Sequence, residues 1–356
     1  MRSPTIRCEF TARAPKITMS GASSPPAASA PFWALPPPAA VQTVAWHVQA
    51  WLQQTFCKLR FAYQPLLDGD VSLAWPETAV RDEGAPVVVL VPGITGHERN
   101  LPGTHLYGAL ARAGYRAVTY LKRGSAGPLR RPRFHCFGSV HDLAAAVDAV
   151  VARYPRAAVH VVSFSAGNGP AGFHACRYAN APNVRSYLLL CGASNYDHIE
   201  NSLSPPPSTP DAVTARLRRV AASTIVRAVK ETYVVPNQRV LRAHDAGAYD
   251  RAMACTSIQS LYDVLSVAYG GDEEYNLYRD PAAFAEGVRQ PLRIVVTEDD
   301  PIANRVPPSW AEPLSRSSSI EVDRRAHGAH LACYEDWTFS KRWVDEYVLA
   351  WLRAHA

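Results

Sequence analysis

Apolar residues recur along this chain with two different periods, and the change from one to the other marks its organisation. In "AAVQTVAWHVQAWLQQTFCKL", Val41, Val44, Val48, Trp51, Leu52, Phe56 and Leu59 return at three- and four-residue spacing with glutamines between them. That is the pattern of an amphipathic helix, which either packs on the domain or lies as an anchor on a membrane surface. From Pro86 the pattern changes. "PVVVLVPG" is a continuous apolar run closed by Pro-Gly, Leu106, Leu110 and Ala113 then fall at helical spacing, and "YRAVTYL" is apolar again, so strand, loop, helix and strand follow one another. The alternation continues through "SVHDLAAAVDAVVARYP" as helix, "AAVHVVSFS" as strand, "AGNGPAGFHACRYA" as helix, and "RSYLLLCG" and, much later, "PLRIVVTEDDP" as strands. Buried runs that alternate with helices predict an α/β fold with a mostly parallel central sheet and helices on both faces.

Between Asp197 and Gln290 this alternation breaks into a proline cluster "SLSPPPSTP", a basic amphipathic helix from about Asp211 to Val235, and mixed segments with "YGGDEEYNLY". In open α/β sheets ligands bind beyond the strand ends, so an insertion at about 197–290 is expected to form a cap over the site. Residues 1–30 are rich in Ala, Ser, Pro and Arg with the single acid Glu9, the composition of a disordered or targeting extension. Residues 31–356 are then one domain with the cap inserted.

Composition narrows the function. With 356 residues, 47% of them hydrophobic, the chain supports a large core. The formal charge is +6, but Arg2, Arg7, Arg13 and Lys16 against Glu9 place half of that excess in the first thirty residues. What remains is too little for a phosphate-backbone footprint, and no nucleic-acid partner is expected. Seven cysteines, an odd number without a CxxC pair, read as reduced thiols of an intracellular protein, cytoplasmic or peripherally membrane-associated. No apolar run is long enough to span a bilayer and no secretory h-region is expected, which leaves peripheral membrane contact through residues 41–59 or the cap.

The candidate chemistry begins at "VVSFSAGNGP". Ser165 stands between an apolar strand ending at Val162 and a helix opening at about Ala166, the strand-to-helix turn that raises a nucleophilic hydroxyl above a sheet. The residues two before and two after must be small. Gly167 meets that requirement, and Ser163, in place of the usual glycine, is expected to be the tighter fit. On this fold the acid and the base follow the serine in that order. "VVTEDDPIAN" places Asp300, next to Pro301, past a late buried strand as the acid, with Asp299 as a turn or cap residue. "RRAHGAHLACYEDW", after the strand "SIEV" and before a closing helix with Trp343, Tyr347 and Trp351, offers His330 as the base and His327 as a solvated loop side chain. The backbone N–H groups of Ile94 and Ala166 are expected to form an oxyanion hole, with Gly93 and Gly96 admitting close approach.

These residues carry a resemblance to the YheT-like group of α/β hydrolases, the AB hydrolase 4 family, which includes eukaryotic α/β-hydrolase-domain lipases and yeast medium-chain ester synthases and esterases. The similar blocks are "PFWAL…VQT", "DGDVSLAW", "VPGITG", Arg123-Gly124, "HDLAAAV", "SFSAGN", "SLYDVLSVAYGG", "DDPI" and "GAHLACYE". Three positions depart from the family pattern: Pro92-Gly93 for His-Gly, Ser163 for the first elbow glycine, and Gly328-Ala329-His330 for Gly-Gly-His. Position by position, the resemblance implies Ser165 as nucleophile, Asp300 as acid, His330 as base, and Ile94 and Ala166 as oxyanion donors. It also implies an α/β-hydrolase fold and a serine carboxylester hydrolase for lipid-type or medium-chain acyl esters such as monoacylglycerols. No metal, organic cofactor or obligate protein partner is expected. Two alternatives are acyl transfer to an alcohol and a hydrolase-fold binding protein without catalysis.

Overall fold

Successive side chains of a strand point to opposite faces, and in the central strand β3 (Val87–Val91) this alternation divides the core of the computed structural model. Val87, Val89 and Val91 enter one apolar cluster while Val88 and Leu90 enter another on the opposite face, and every one of them is buried. The structure describes residues 36–56, 59–77, 80, 82–99, 104–125, 127–181, 183–192, 212–270, 280–303, 306 and 308–356. The extension expected at 1–30 and the proline cluster lie outside these residues.

The strands are β1 (Phe61–Leu66), β2 (Val71–Pro76), β3, β4 (Arg116–Leu121), β5 (Val159–Phe164), β6 (Val184–Leu190), β7 (Leu292–Thr297) and β8 (Ile320–Arg325). They form one eight-stranded sheet in the order β1-β2-β4-β3-β5-β6-β7-β8. β4, β3, β5, β6, β7 and β8 pair in parallel, whereas β1 and β2 form an antiparallel hairpin and β2 is antiparallel to β4. The parallel strands are the apolar runs of the sequence. The hairpin is additional: β1 mixes half-buried and exposed residues with none buried, as an edge strand does, and turns through positive φ at Leu67, Asp68 and Gly69. Arg123, just past β4, ties this edge to the body by bonding Asp70 at 2.9 Å and Asp142 at 2.7 Å.

Helices cover both faces. Leu106 and Leu110 of α2 (Thr104–Arg112), with Val348 and Leu352 of the closing helix (Trp343–Ala354), fill one. α3 (Val140–Arg153) and α4 (Asn168–Arg177) cover the other. α3 starts where the Ser139 hydroxyl accepts from the Asp142 N–H at 3.2 Å, an N-cap. Between β6 and β7 the expected basic helix is α5 (Ala212–Val229), extended by a π-helical turn at Lys230–Val234 and followed by α6 (Gln238–His244), α7 (Ala246–Ala254) and α8 (Ile258–Leu265).

The helix expected at 41–59 is α1 (Ala39–Phe56), and its orientation is a finding. Its glutamine face, not its valine stripe, meets the protein. Gln42 is fully buried, donates to Pro37 O and accepts the Tyr334 N–H at 3.0 Å, while Gln49 donates to Phe339 O and accepts from the Tyr334 hydroxyl. Val41, Val44 and Val48 face outward at 37%, 64% and 50% exposure. Three of these hydrogen bonds reach Tyr334 and Phe339, and Ala45 and Trp46 on the same face pack against Ala329, Ala332 and Tyr334; a buried polar group left unpaired there would cost about 1–3 kcal/mol. No helix among the described residues is long and apolar enough to cross a membrane.

Candidate active site

Because the central strands are parallel and adjacent, the segments after β3, β5, β7 and β8 emerge at one edge of the sheet, the carboxyl edge where such sheets carry their chemistry. Ser165 follows β5 directly. Its φ of +53° is left-handed, a conformation that costs a non-glycine residue about 1–3 kcal/mol and persists only where its surroundings impose it. The surroundings are explicit at Gly167, where an added Cβ would lie 2.5 Å from the carbonyl oxygens of both Val91 and Pro92. The crowded position of the elbow is therefore Gly167, not Ser163 as expected from the sequence. Ser163 is accommodated within β5: its hydroxyl donates to Asn168 Oδ1 at 2.7 Å, and Asn168 Nδ2 donates to Leu190 O at the end of β6 and to Gly192 O just past it.

The Ser165 hydroxyl lies 2.9 Å from His330 Nε2, and His330 Nδ1 lies 2.8 Å from Asp300 Oδ2. A carboxylate only accepts, so the Nδ1 proton points to Asp300 and leaves Nε2 free to accept from Ser165. Asp300 is 1% exposed, and its second oxygen accepts the N–H groups of Ile302 and Ala303 at 2.7 and 3.0 Å. Burial opposes charging His330, but the charge of Asp300 and its hydrogen bond outweigh burial and raise the imidazole above its ordinary value.

The loop that presents His330 is held in a strained shape, with Ala329, Leu331 and Cys333 all at positive φ. Asp299 supplies part of the restraint. Its carboxylate accepts the Ala329 N–H at 2.9 Å and the Gly328 N–H at 3.3 Å, and the Thr297 hydroxyl donates to Ala329 O at 2.7 Å. Asp299 is thus more than the turn or cap residue expected. Burial raises its pKa, with the two backbone donors pulling the other way. His327 is more than half exposed and sits 3.7 Å from Asp299 rather than at the site.

Gly93 runs beside the nucleophile, since a Cβ on it would lie 3.3 Å from the Ser165 Cβ. Ile94 therefore follows immediately above the elbow, and Ala166 follows Ser165 in the same turn. An apolar depression opens from Ile94 toward the helical insertion, where Phe137, Ile225, Val229, Ile258 and Leu261 line it. Of the residues expected at the site, the structure joins Ser165, His330 and Asp300 by hydrogen bonds, and Ile94 and Ala166 are the chain neighbours of Gly93 and Ser165. Sequence reasoning missed the roles of Asn168, Thr297 and Asp299, whose only signal was proximity to "SFSAG" and "DDP".

Residues 88–340 match the model of the alpha/beta hydrolase family, well over half of the chain. The chain belongs to the alpha/beta hydrolase family. Among its relatives, mouse Phospholipase ABHD3 is 32% identical over 105 residues, 28% of this chain and 26% of that protein. Human Protein ABHD15 is 28% identical over 233 residues, 62% of this chain and 44% of that protein. The chain thus spans less than half the length of either curated relative. Among solved structures, a soluble variant of monoglyceride lipase from Saccharomyces cerevisiae in complex with a substrate analog superposes with a TM-score of 0.51 at 16% identity, covering 84% of this chain and 95% of that one. The sheet order and this superposition establish the expected α/β-hydrolase fold.

Proposed function

We propose that this alpha/beta hydrolase is a serine carboxylester hydrolase for acyl esters of lipid or medium-chain type, monoacylglycerols included, within the YheT-like group. The observation that carries the reading is the continuous line of hydrogen bonds from Ser165 through His330 to the buried Asp300. In this reading Ser165 Oγ attacks the ester carbonyl carbon as its proton passes to His330 Nε2, and Asp300 stabilises the imidazolium. The Ile94 and Ala166 N–H groups receive the developing oxyanion. Collapse expels the alcohol, which takes the proton from His330. Water then attacks the acyl-enzyme as its proton passes to His330, and collapse releases the carboxylic acid while Ser165 Oγ leaves with the proton from His330, which restores the hydroxyl and the neutral imidazole. The side chains that line the depression beside Ile94 are apolar, the chemistry that a hydrocarbon acyl group would meet there. Residues 197–290 act as the cap, and the outward valines of α1 supply the peripheral membrane contact.

The test is hydrolysis of p-nitrophenyl esters from acetate to palmitate by the wild type and Ser165→Ala. Activity that peaks at medium or long chains and disappears in Ser165→Ala supports the proposal. Activity confined to acetate overturns the substrate class, and activity unchanged in Ser165→Ala overturns the mechanism.

A further inference from the structure

A buried cation stands behind the oxyanion loop with no role in the chemistry above. Lys122, directly after β4, is 2% exposed, and its ammonium donates to Gly93 O at 2.5 Å. It faces the ring of Tyr233 at 5.9 Å, and no carboxylate among the described residues pairs with it. The next residue, Arg123, by contrast pairs with Asp70 and Asp142. Leaving an ammonium buried without a counter-charge is costly, and such groups collect where function uses them.

The atom that Lys122 holds is informative. Gly93 C=O and Ile94 N–H belong to one peptide unit, and no peptide among the described residues is cis. In a planar trans unit the carbonyl and the N–H point in opposite directions. A donor that fixes the oxygen on one side therefore aims the N–H on the other, and a positive charge at the oxygen polarises the amide so that its N–H donates more strongly. The next carbonyl is fixed as well: the Tyr233 hydroxyl, from the helical insertion, donates to Ile94 O at 2.6 Å and lies 3.1 Å from Ser125 Oγ.

We infer that Lys122 is a positioning residue whose ammonium, through the carbonyl of Gly93, orients and strengthens the Ile94 N–H as an oxyanion donor. This rests on the ester-hydrolase reading and adds a group to it. Burial, opposed only by Cys136, lowers the Lys122 pKa to about 7. The other titratable groups that face it do not change charge near that pH. Burial pushes Cys136 up to about 12 and His135 down to about 3, and it raises the Tyr233 phenol well above its ordinary value. The donor's strength therefore falls as pH rises past neutrality. Stability moves the other way: the unfolded chain keeps this proton up to about 10.4 while the folded chain loses it near 7, so the unfolded state binds more protons in that window and the fold gains stability as pH rises.

The test measures kcat and KM for p-nitrophenyl butyrate from about pH 5 to about pH 10 on the wild type, Ser165→Ala, Lys122→Met and Lys122→Arg, with a melting curve for each. Lys122→Met is expected to lose about 10- to 100-fold in kcat, short of the loss of a whole oxyanion donor, with KM changed less than about threefold. The wild-type rate is expected to fall above a pKa of about 7. Lys122→Arg, which keeps its charge, is expected to retain more activity than Lys122→Met and to lack that descending limb. Wild-type kcat in Lys122→Met, or a wild-type rate that does not decline above neutrality, overturns the proposal. If Lys122→Met does not fold, the wild-type and Lys122→Arg profiles decide by the same limb. A wild type without hydrolysis, or a Ser165→Ala as active as the wild type, overturns the ester-hydrolase reading and this inference with it.

Discussion

The hydroxyl of Ser163 donates to Asn168 Oδ1 at 2.7 Å across the strand-to-helix turn, and both residues are fully buried. The bond ties the strand before the nucleophile to the helix after it, and Asn168 extends the tie to the end of β6. A serine where the elbow usually has glycine is thus part of the scaffold under Ser165. Ser163→Gly leaves Asn168 Oδ1 buried without its donor, at a cost of about 1–3 kcal/mol. It should melt lower while keeping most of its turnover, because Ser165 itself is untouched. Ser163→Val adds branching as well and should lose both stability and rate. Melting curves and ester hydrolysis on the two variants check this; an inactive Ser163→Gly beside an active Ser163→Val would contradict it.

Gly167 is the position that tolerates no side chain. With two carbonyl oxygens 2.5 Å from a new Cβ, Gly167→Ala must push the elbow away from Pro92 and the oxyanion loop. The expected result is a soluble protein with at least about a hundredfold lower kcat, the scale at which misplacement by about 1 Å acts. Near-wild-type turnover in Gly167→Ala would show that the elbow relaxes freely.

Asp299 and Asp300 are adjacent acids with different work. Asp300→Asn removes the charge that orients His330 and should lower kcat by about three to four orders of magnitude. Asp299→Ala frees two backbone N–H groups of the strained His330 loop and should lower kcat while also lowering the melting temperature. Asp299→Asn keeps one acceptor and should be milder than Asp299→Ala. If Asp299→Ala matches the wild type in both rate and melting, the loop is fixed without it.

The raised pKa of His330 gives a signed pH dependence. Its neutral form is the base, so kcat/KM should rise with pH through a pKa above the ordinary imidazole value of about 6.5. Its protonated form contributes stability that is fully present below about pH 6.5 and is lost as pH rises through the raised folded value. The rising limb of the pH–rate profile measures this directly. A limb below about pH 6 would mean that burial, not Asp300, dominates the imidazole.

How much of this was legible in the sequence follows from where side chains point. The parallel strands could be read because both faces are buried, as in "VVVLV" and "SYLLL", so composition alone marks them. Ser165, Asp300 and His330 could be read because chain order and small-residue context are local properties. The outward valines of α1 could not, since a helical stripe has two sides, and the Gln42 and Gln49 bonds to Tyr334 and Phe339 together with Ala45 and Trp46 packed on Ala329, Ala332 and Tyr334, nearly three hundred residues away in sequence, fix which side docks. β1 was hidden by its mixed edge pattern. Lys122 was hidden because a lysine at a strand end reads as solvated, whereas here it is buried with its ammonium on Gly93 O and the ring of Tyr233, from the insertion, 5.9 Å away.

The most direct measurement is peptide mapping after reaction with a fluorophosphonate probe, which forms a stable adduct only with an activated serine. One adduct per chain is expected, located on Ser165, absent in Ser165→Ala and strongly slowed in His330→Ala. No adduct on the folded wild type, or equal labelling of Ser165→Ala, would contradict Ser165 as the nucleophile.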